Sequence, residues 1–310
     1  MKKILIILIF IPYLLLAQEN DTTLIKDKVK NEFFATLYSS FNYSKSTLSP
    51  TSVGFRMPTA LLGYKKNITD NIGGTIILDV TRTTSNFSVN DTNGLVLPVS
   101  YFEGSKYTAF LKMAEIQWDI SPKWSFSVGL LLNSQYLTVQ DKFWNHRYVE
   151  VTFQELNRLG MPADFGMRMT FKPNKKFKIN VGVFNGDGPF RHQDEYSSFL
   201  LSANLEYRPT ELIILKAYCA KDYAGNPSLH DKDVLSTFIG LKLEKLTVGL
   251  EYDYVRNLFY LLSNASGFSG FISYDFTKKF EFFYRYDIFN YLSSSSYKYN
   301  IVGLQFSPNE

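Results

Sequence analysis

The feature that most constrains this chain is an alternation of apolar and polar residues that recurs along most of its length. In 246–254 every second residue is Leu, Val or Tyr, and the residues between them are Thr, Gly, Glu and Asp. The same pattern occupies 124–130, 165–172, 199–208 and 280–288. Because successive side chains of a β-strand point to opposite faces, this alternation predicts strands with one apolar and one polar face.

The length of these runs separates two kinds of sheet. Strands of soluble proteins cluster near about six residues, whereas tilted membrane strands need about ten, and most runs here reach the longer value. In a membrane barrel the apolar face meets lipid and the polar face meets a wet lumen. We therefore predict an all-β fold, a transmembrane antiparallel up-and-down β-barrel over residues 31–310. Counting the runs gives fourteen strands, and a hairpin hidden in 84–105 would make sixteen.

The connections between the runs alternate in length. Short, turn-like ones lie at 121–123, 172–175, 208–210, 244–245 and 277–279. Longer polar segments lie at about 84–105, 138–162, 186–197, 222–232, 257–266 and 289–296. Short periplasmic turns and longer extracellular loops are typical of bacterial barrels. An even strand number then places both ends of the barrel in the periplasm.

The N-terminus carries the features of an export signal. Lys2 and Lys3 precede an apolar run at 4–16, and Ala17 provides a small residue before a cleavage point. The run is shorter than the roughly 20 residues that a spanning helix needs. We predict a cleaved signal peptide at 1–17, a short periplasmic tail at 18–30, and delivery of the barrel to the bacterial outer membrane.

Composition and charge narrow the functional classes. Aromatic residues make up 16% of the chain, with 27 Phe and 21 Tyr, which suits the aromatic girdles of a membrane barrel. The formal net charge of +4 falls to about +2 without Lys2 and Lys3, so there is no basic surplus of the kind that nucleic-acid binding needs. The single cysteine, Cys219, excludes an internal disulfide framework, and no cofactor or metal is indicated.

An enzymatic function finds little support in the residues. A barrel hydrolase needs a nucleophile and a base within hydrogen-bond reach. The three histidines, His146, His192 and His230, lie in or beside loops, and no Gly-x-Ser-x-Gly stands near them. We predict that the protein is not an enzyme.

The polar faces of the strands supply the predicted lining of a pore. The positions are Arg56, Asp79, Glu115, Arg168, Lys178, Glu206, Lys216, Lys242, Glu251, Asp253, Asp275, Glu281 and Arg285. Their signs are mixed and nearly balanced. Selectivity filters are built from rings of one sign, so this lining predicts weak ion selectivity.

The long segment at 138–162 differs from the other loops. It is the third extracellular loop and carries Lys142, Trp144, Arg147, Tyr148 and Glu150. In general porins the third loop often folds inward and narrows the pore. Two hypotheses stay open here: the segment constricts the lumen, or it rests as an amphipathic cap on the barrel rim.

Several segments resemble the phosphate-selective porin O and P type family of outer-membrane porins. They are 54–64 (GFRMPTALLGY), 70–80, 142–148 (KFWNHRY), 163–167 and 183–188 (VFNGDG), so the resemblance covers roughly 31–210. It implies a barrel that carries small solutes or ions, usually with sixteen strands and commonly as a homotrimer. The family's phosphate selectivity depends on a ladder of pore arginines, and no dense arginine run is present here.

The expected function is passive diffusion of small solutes or ions through an outer-membrane porin surrounded by lipid. The alternative is a non-conducting barrel with a structural, adhesive or assembly role, its lumen blocked by the segment at 138–162.

Overall fold

A computed structural model describes residues 7–8, 31–44, 52–82, 88–90, 96–98, 107–186, 188–189, 199–291 and 296–307. The predicted signal peptide and periplasmic tail lie almost entirely outside the described residues. Within them, no helix is both long and apolar enough to cross a membrane.

Fourteen long strands form the main sheet of the described chain. They are β1 (Asn31–Ser44), β2 (Ser52–Asn67), β3 (Ile72–Arg82), β4 (Tyr107–Asp119), β5 (Trp124–Leu132), β6 (Ala163–Asn174), β7 (Phe177–Phe184), β8 (Phe199–Tyr207), β9 (Ile213–Tyr223), β10 (Lys232–Lys242), β11 (Leu246–Arg256), β12 (Ala265–Thr277), β13 (Phe280–Tyr291) and β14 (Ser296–Phe306). Each strand pairs antiparallel with the next in the chain, so the order is strictly up and down.

This arrangement confirms the predicted antiparallel sheet of fourteen strands. The segment 84–105 does contain a hairpin, since Ser88–Asn90 pairs with Val96–Pro98. These two short strands form a separate sheet of their own, so they do not raise the barrel to sixteen.

The two edges of the main sheet approach one another. Ile7–Leu8 pairs with Phe41 and Asn42 on the free edge of β1. No backbone ladder joins β14 to β1 in the part of the chain that the structure describes. One side chain, Tyr148, nevertheless contacts both strands: its ring lies 5.8 Å from that of Tyr38, and its hydroxyl donates a hydrogen bond to Gln305. The sheet therefore curls into a barrel.

The two faces of the sheet are inverted relative to a soluble protein. On β11, Leu250 and Tyr252 are 43% and 47% exposed, whereas their neighbours Glu251 and Asp253 are 3% and 0% exposed. A continuous apolar outer face of this kind indicates contact with lipid hydrocarbon. Stacked aromatic pairs stand at the strand ends beside the short turns, such as Trp124 with Phe171 at 4.2 Å. They are placed as an interfacial girdle would be.

Candidate pore and its internal loop

The loop that joins β5 to β6, residues 133–162, enters the barrel and is called the internal loop below. β5 ends at Leu132, where the Asn133 side chain accepts a hydrogen bond from the backbone of Gln135 (2.9 Å) and turns the chain inward. The loop therefore starts earlier than the predicted boundary at 138. It contains two short helices, α1 (Gln140–Trp144) and α2 (Phe153–Leu156).

The internal loop is held inside the barrel by apolar packing against β9–β14. Val139 and Trp144 join one buried cluster with wall residues that include Phe271 and Phe283, and Phe153 and Leu159 join a second. The Trp144 ring contacts Phe271 at 5.5 Å and Phe283 at 6.0 Å. These contacts support an inward path for the segment over a cap on the barrel rim.

Glycine on the inner wall makes room for these rings. Gly267 of β12 lies directly beneath Phe153, and a methyl group in its place would overlap the ring. Gly240 of β10 lies beneath Phe143 in the same way. Since protein interiors are close-packed, a single added carbon at such a site forces the loop or the wall to move.

Polar contacts fasten the same loop to the same half of the wall. Lys216 donates to the Gln135 carbonyl (2.5 Å) and to Oε1 of Gln140 (2.7 Å). Gln140 in turn donates to Glu251 (3.0 Å). Arg285 donates to the Val151 carbonyl (2.6 Å) and lies 5.0 Å over the Trp144 ring as a cation–π contact.

Three of the five predicted constriction residues therefore contact the wall. Trp144 is buried, Tyr148 reaches Gln305, and Glu150 accepts a hydrogen bond from Tyr299 (3.2 Å). Lys142 is exposed. Arg147 is the one that organises the loop's remaining charged surface.

Arg147 forms a charge cluster with Asp141 and Glu155 on the loop. Its guanidinium lies 2.9 Å from Asp141 and makes two contacts of 2.6 Å with Glu155. Burial alone would lower the pKa of Arg147, but the hydrogen bonds that it donates to Glu155 and the charge of Asp141 outweigh it and raise the pKa. Burial also raises the pKa of Asp141, although Arg147 counteracts it. Tyr148, next to Arg147 in the chain, stacks on Tyr38 of β1, and the charge of Lys112 on β4 acts on Asp141, so this cluster lies on the side of the loop towards β1 and β4.

The inner wall between β3 and β8 carries charges in ion pairs. Asp79 pairs with Lys112 at 2.8 Å, Glu115 with Arg168 at 3.2 Å, and Glu206 with Lys178 at 3.2 Å. Five of the predicted lining residues take part in these pairs, and each pair joins one positive and one negative side chain.

The other predicted lining residues occupy different surroundings. Lys216, Glu251, Glu281 and Arg285 contact the internal loop, and Asp253 is fully buried in the same half of the wall. Lys242 and Asp275 are exposed near the short turns. The side chain of Arg56 lies outside the described part of the chain. Seven of the thirteen predicted lining residues are therefore covered or at the rim, because the sequence does not show where the internal loop rests.

Lys112 is a wall residue that the alternation pattern misses. The ladder between β3 and β4 shifts register at Ile77 and Leu78, so Lys112 is the extra residue of a β-bulge. Strict alternation from Glu115 would place Lys112 on the lipid face. The bulge changes the phase and turns its ammonium inward to Asp79.

His146 and its neighbours do not form a catalytic triad. Nε2 of His146 lies 3.1 Å from Ser273 Oγ and 3.2 Å from Glu281 Oε1, so both oxygens face the same nitrogen. A triad needs the nucleophile and the carboxylate on different ring nitrogens. The His146 ring is also completely buried. His230 is exposed and His192 lies outside the described residues, among which no group of three or more His, Cys, Asp or Glu is placed to hold a metal.

A cavity of about 300 Å³ lies at the short-turn end of β2–β4 and is open to solvent. Its lining includes Lys65, Thr75, Glu115, Gln117 and Asp119. This cavity lies beside wall residues that the internal loop does not contact, such as Glu115 and Gln117.

Solved structures of other proteins share this architecture. OmpF of Salmonella typhi, in complex with daunomycin, superposes with a TM-score of 0.64 over 92% of this chain and 88% of that one, at 9% identity. The chain has the fold of outer-membrane porins. OmpT of Vibrio cholerae agrees, with a TM-score of 0.55 over 90% of this chain and 82% of that one, at 10% identity. No protein-family model and no curated protein matches the sequence.

The apolar outer face and this fold together indicate a β-barrel whose outer surface meets lipid. The shared fold does not assign the chain to the phosphate-selective O and P type, which stays a resemblance of sequence segments.

Proposed function

We propose that the protein is a porin for passive diffusion of small solutes or ions, with a route that passes on one side of the internal loop. The observation that carries this proposal is the one-sided docking of the loop. It packs on β9–β14, whereas its charge cluster of Asp141, Arg147 and Glu155 faces β1 and β4. The route would run between that cluster and the paired wall charges, and would end in the 300 Å³ cavity.

The charges along this route favour weak selectivity. The wall contributes ion pairs, and the charge cluster of the loop contributes two carboxylates to one guanidinium. The cluster therefore carries one surplus negative charge, which is not the one-sign ring of a selective filter. We therefore propose a mild preference for cations and no specific phosphate site. A homotrimer, common among the resembling family, belongs to the same proposal.

Single-channel recording tests the proposal. The protein, expressed from its full sequence and extracted from outer membranes, is reconstituted in a planar bilayer. We expect stable conductance steps and a small reversal potential of cation-preferring sign under a KCl gradient. A folded, heat-modifiable barrel that never conducts would contradict the proposal and favour a plugged barrel with a structural or adhesive role.

A further inference from the structure

One residue of the internal loop touches both edges of the sheet. The Tyr148 ring stacks on Tyr38 of β1 with a centroid distance of 5.8 Å and an interplanar angle of 25°. The Tyr148 hydroxyl donates a hydrogen bond to Oε1 of Gln305 on β14. Tyr38 and Gln305 are thus joined through a single side chain.

His146 fixes the position of this tyrosine. Its Nδ1 lies 3.0 Å from the Tyr148 hydroxyl, and its ring stacks on Phe283 at 4.1 Å. A phenol has one proton to donate, and that proton is directed at Gln305. The hydroxyl therefore accepts from His146 when Nδ1 carries a proton. Nε2 is tied to Ser273 on β12 and Glu281 on β13, so the whole unit is anchored in the wall.

The junction that Tyr148 spans is the one place where the sheet has no ladder between consecutive barrel strands in the described chain. Ile7–Leu8 reaches only Phe41 and Asn42 on the β1 edge, beyond Tyr38. Tyr148 therefore contacts the first and the last strand of the barrel at the junction where they meet.

We propose that the internal loop has a second role, independent of conduction: it clasps the seam between β1 and β14 from inside the barrel. Tyr148 is the positioning residue of this clasp, Tyr38 and Gln305 are its contacts on the two strands, and His146 is its anchor. The loop thereby helps to close the barrel as well as to narrow it.

Hydrogen–deuterium exchange in detergent micelles tests the clasp in the full-length protein purified from outer membranes. Tyr148→Phe removes the hydroxyl but keeps the stacking ring. We expect about fivefold faster exchange in peptides from β1 and β14, the effect of losing one hydrogen bond of local protection, and unchanged exchange in β9–β11.

The matched control is Ser236→Ala, which removes the hydrogen bond from Gln154 of the loop to β10 (2.8 Å) away from the seam. It should leave β1 and β14 unchanged. If Ser236→Ala exposes the seam as much as Tyr148→Phe does, the effect is a general loosening of the loop and the proposal is wrong. Unchanged seam exchange in Tyr148→Phe would also overturn it.

Gln305→Met approaches the clasp from the strand and keeps the loop intact, so it serves if the Tyr148 variant fails to assemble. The same local increase in β1 and β14 is expected. In the double variant the two effects should not add, because both substitutions remove the same hydrogen bond, the one between Tyr148 and Gln305. Additive effects would contradict a shared contact.

Discussion

The two halves of the inner wall carry similar charges but use them differently. In the half covered by the internal loop, the side chains of Arg285 and Asp287 are 2% and 0% exposed. In the uncovered half, those of Lys112 and Asp79 are 15% and 10% exposed, and those of Arg168 and Glu115 are 15% and 9%. Charges of the first kind fasten the loop, and those of the second kind line the space beside it. The same alternation in the sequence thus produces both an anchor and a channel wall.

Among substitutions that test the difference between the two halves, we expect the largest effect on stability at Arg285. Arg285→Met removes the hydrogen bond to Val151 and the contact with Trp144, and leaves Asp287 with only the Ser269 hydroxyl among these partners. Losing one partner of a buried pair costs about 3–5 kcal/mol. We expect a marked fall in the temperature at which the barrel unfolds in a heat-modifiability gel.

Arg168→Met is the control for that experiment, since its partner Glu115 lies in the uncovered half. Its effect on the unfolding temperature should be clearly smaller. Equal effects would mean that the two halves are not distinct.

The next largest effect is expected where the internal loop packs against the glycines of the wall. Gly267→Ala forces a methyl group into the Phe153 ring, and overpacking of this kind costs about 1–3 kcal/mol. Gly270→Ala, on the same strand but on the outer face, meets its nearest neighbour, a Leu250 side-chain carbon, at 3.3 Å and should be nearly neutral. We expect Gly267→Ala alone to increase current noise, because a displaced loop samples several positions in the lumen. Quiet channels in Gly267→Ala would show that the loop is not held there.

The comparison of the two halves also shows which features of the structure the sequence predicts and which it does not. The strands are predictable because lipid outside and water inside impose one alternation on every spanning segment. The docking of the internal loop is not, since it depends on wall residues far away in the chain. One signal was present: Phe271, Phe283 and Phe289 stand on the polar faces of β12 and β13, where a purely wet wall would not place them. Rings on a polar face indicate something that covers them.

On the side of the internal loop that faces the uncovered half of the wall, removing a charge should alter permeation more than stability. Arg147→Ala leaves Asp141 and Glu155 without their counter-ion and removes a large side chain from the gap. We expect higher conductance and a stronger preference for cations, measured as reversal potential under a salt gradient. Lys142→Ala, an exposed position on the same helix as Asp141, serves as the control for loss of one positive charge. If both variants shift the potential equally, the charge cluster does not line the route.

The smallest expected effect is a pH dependence that originates in Asp141. Burial raises the pKa of this carboxyl, so it takes up a proton at a higher pH than an ordinary aspartate. Arg147, whose pKa is raised, stays charged throughout. Acidification therefore changes the cluster from one surplus negative charge towards neutrality, and the cation preference of the channel should weaken as the pH falls. Asp141→Asn should lack this step while keeping any pH response from other carboxylates. An identical pH profile in the two proteins would place Asp141 away from the solute route, and the uncovered half of the wall would lose its loop-side counterpart.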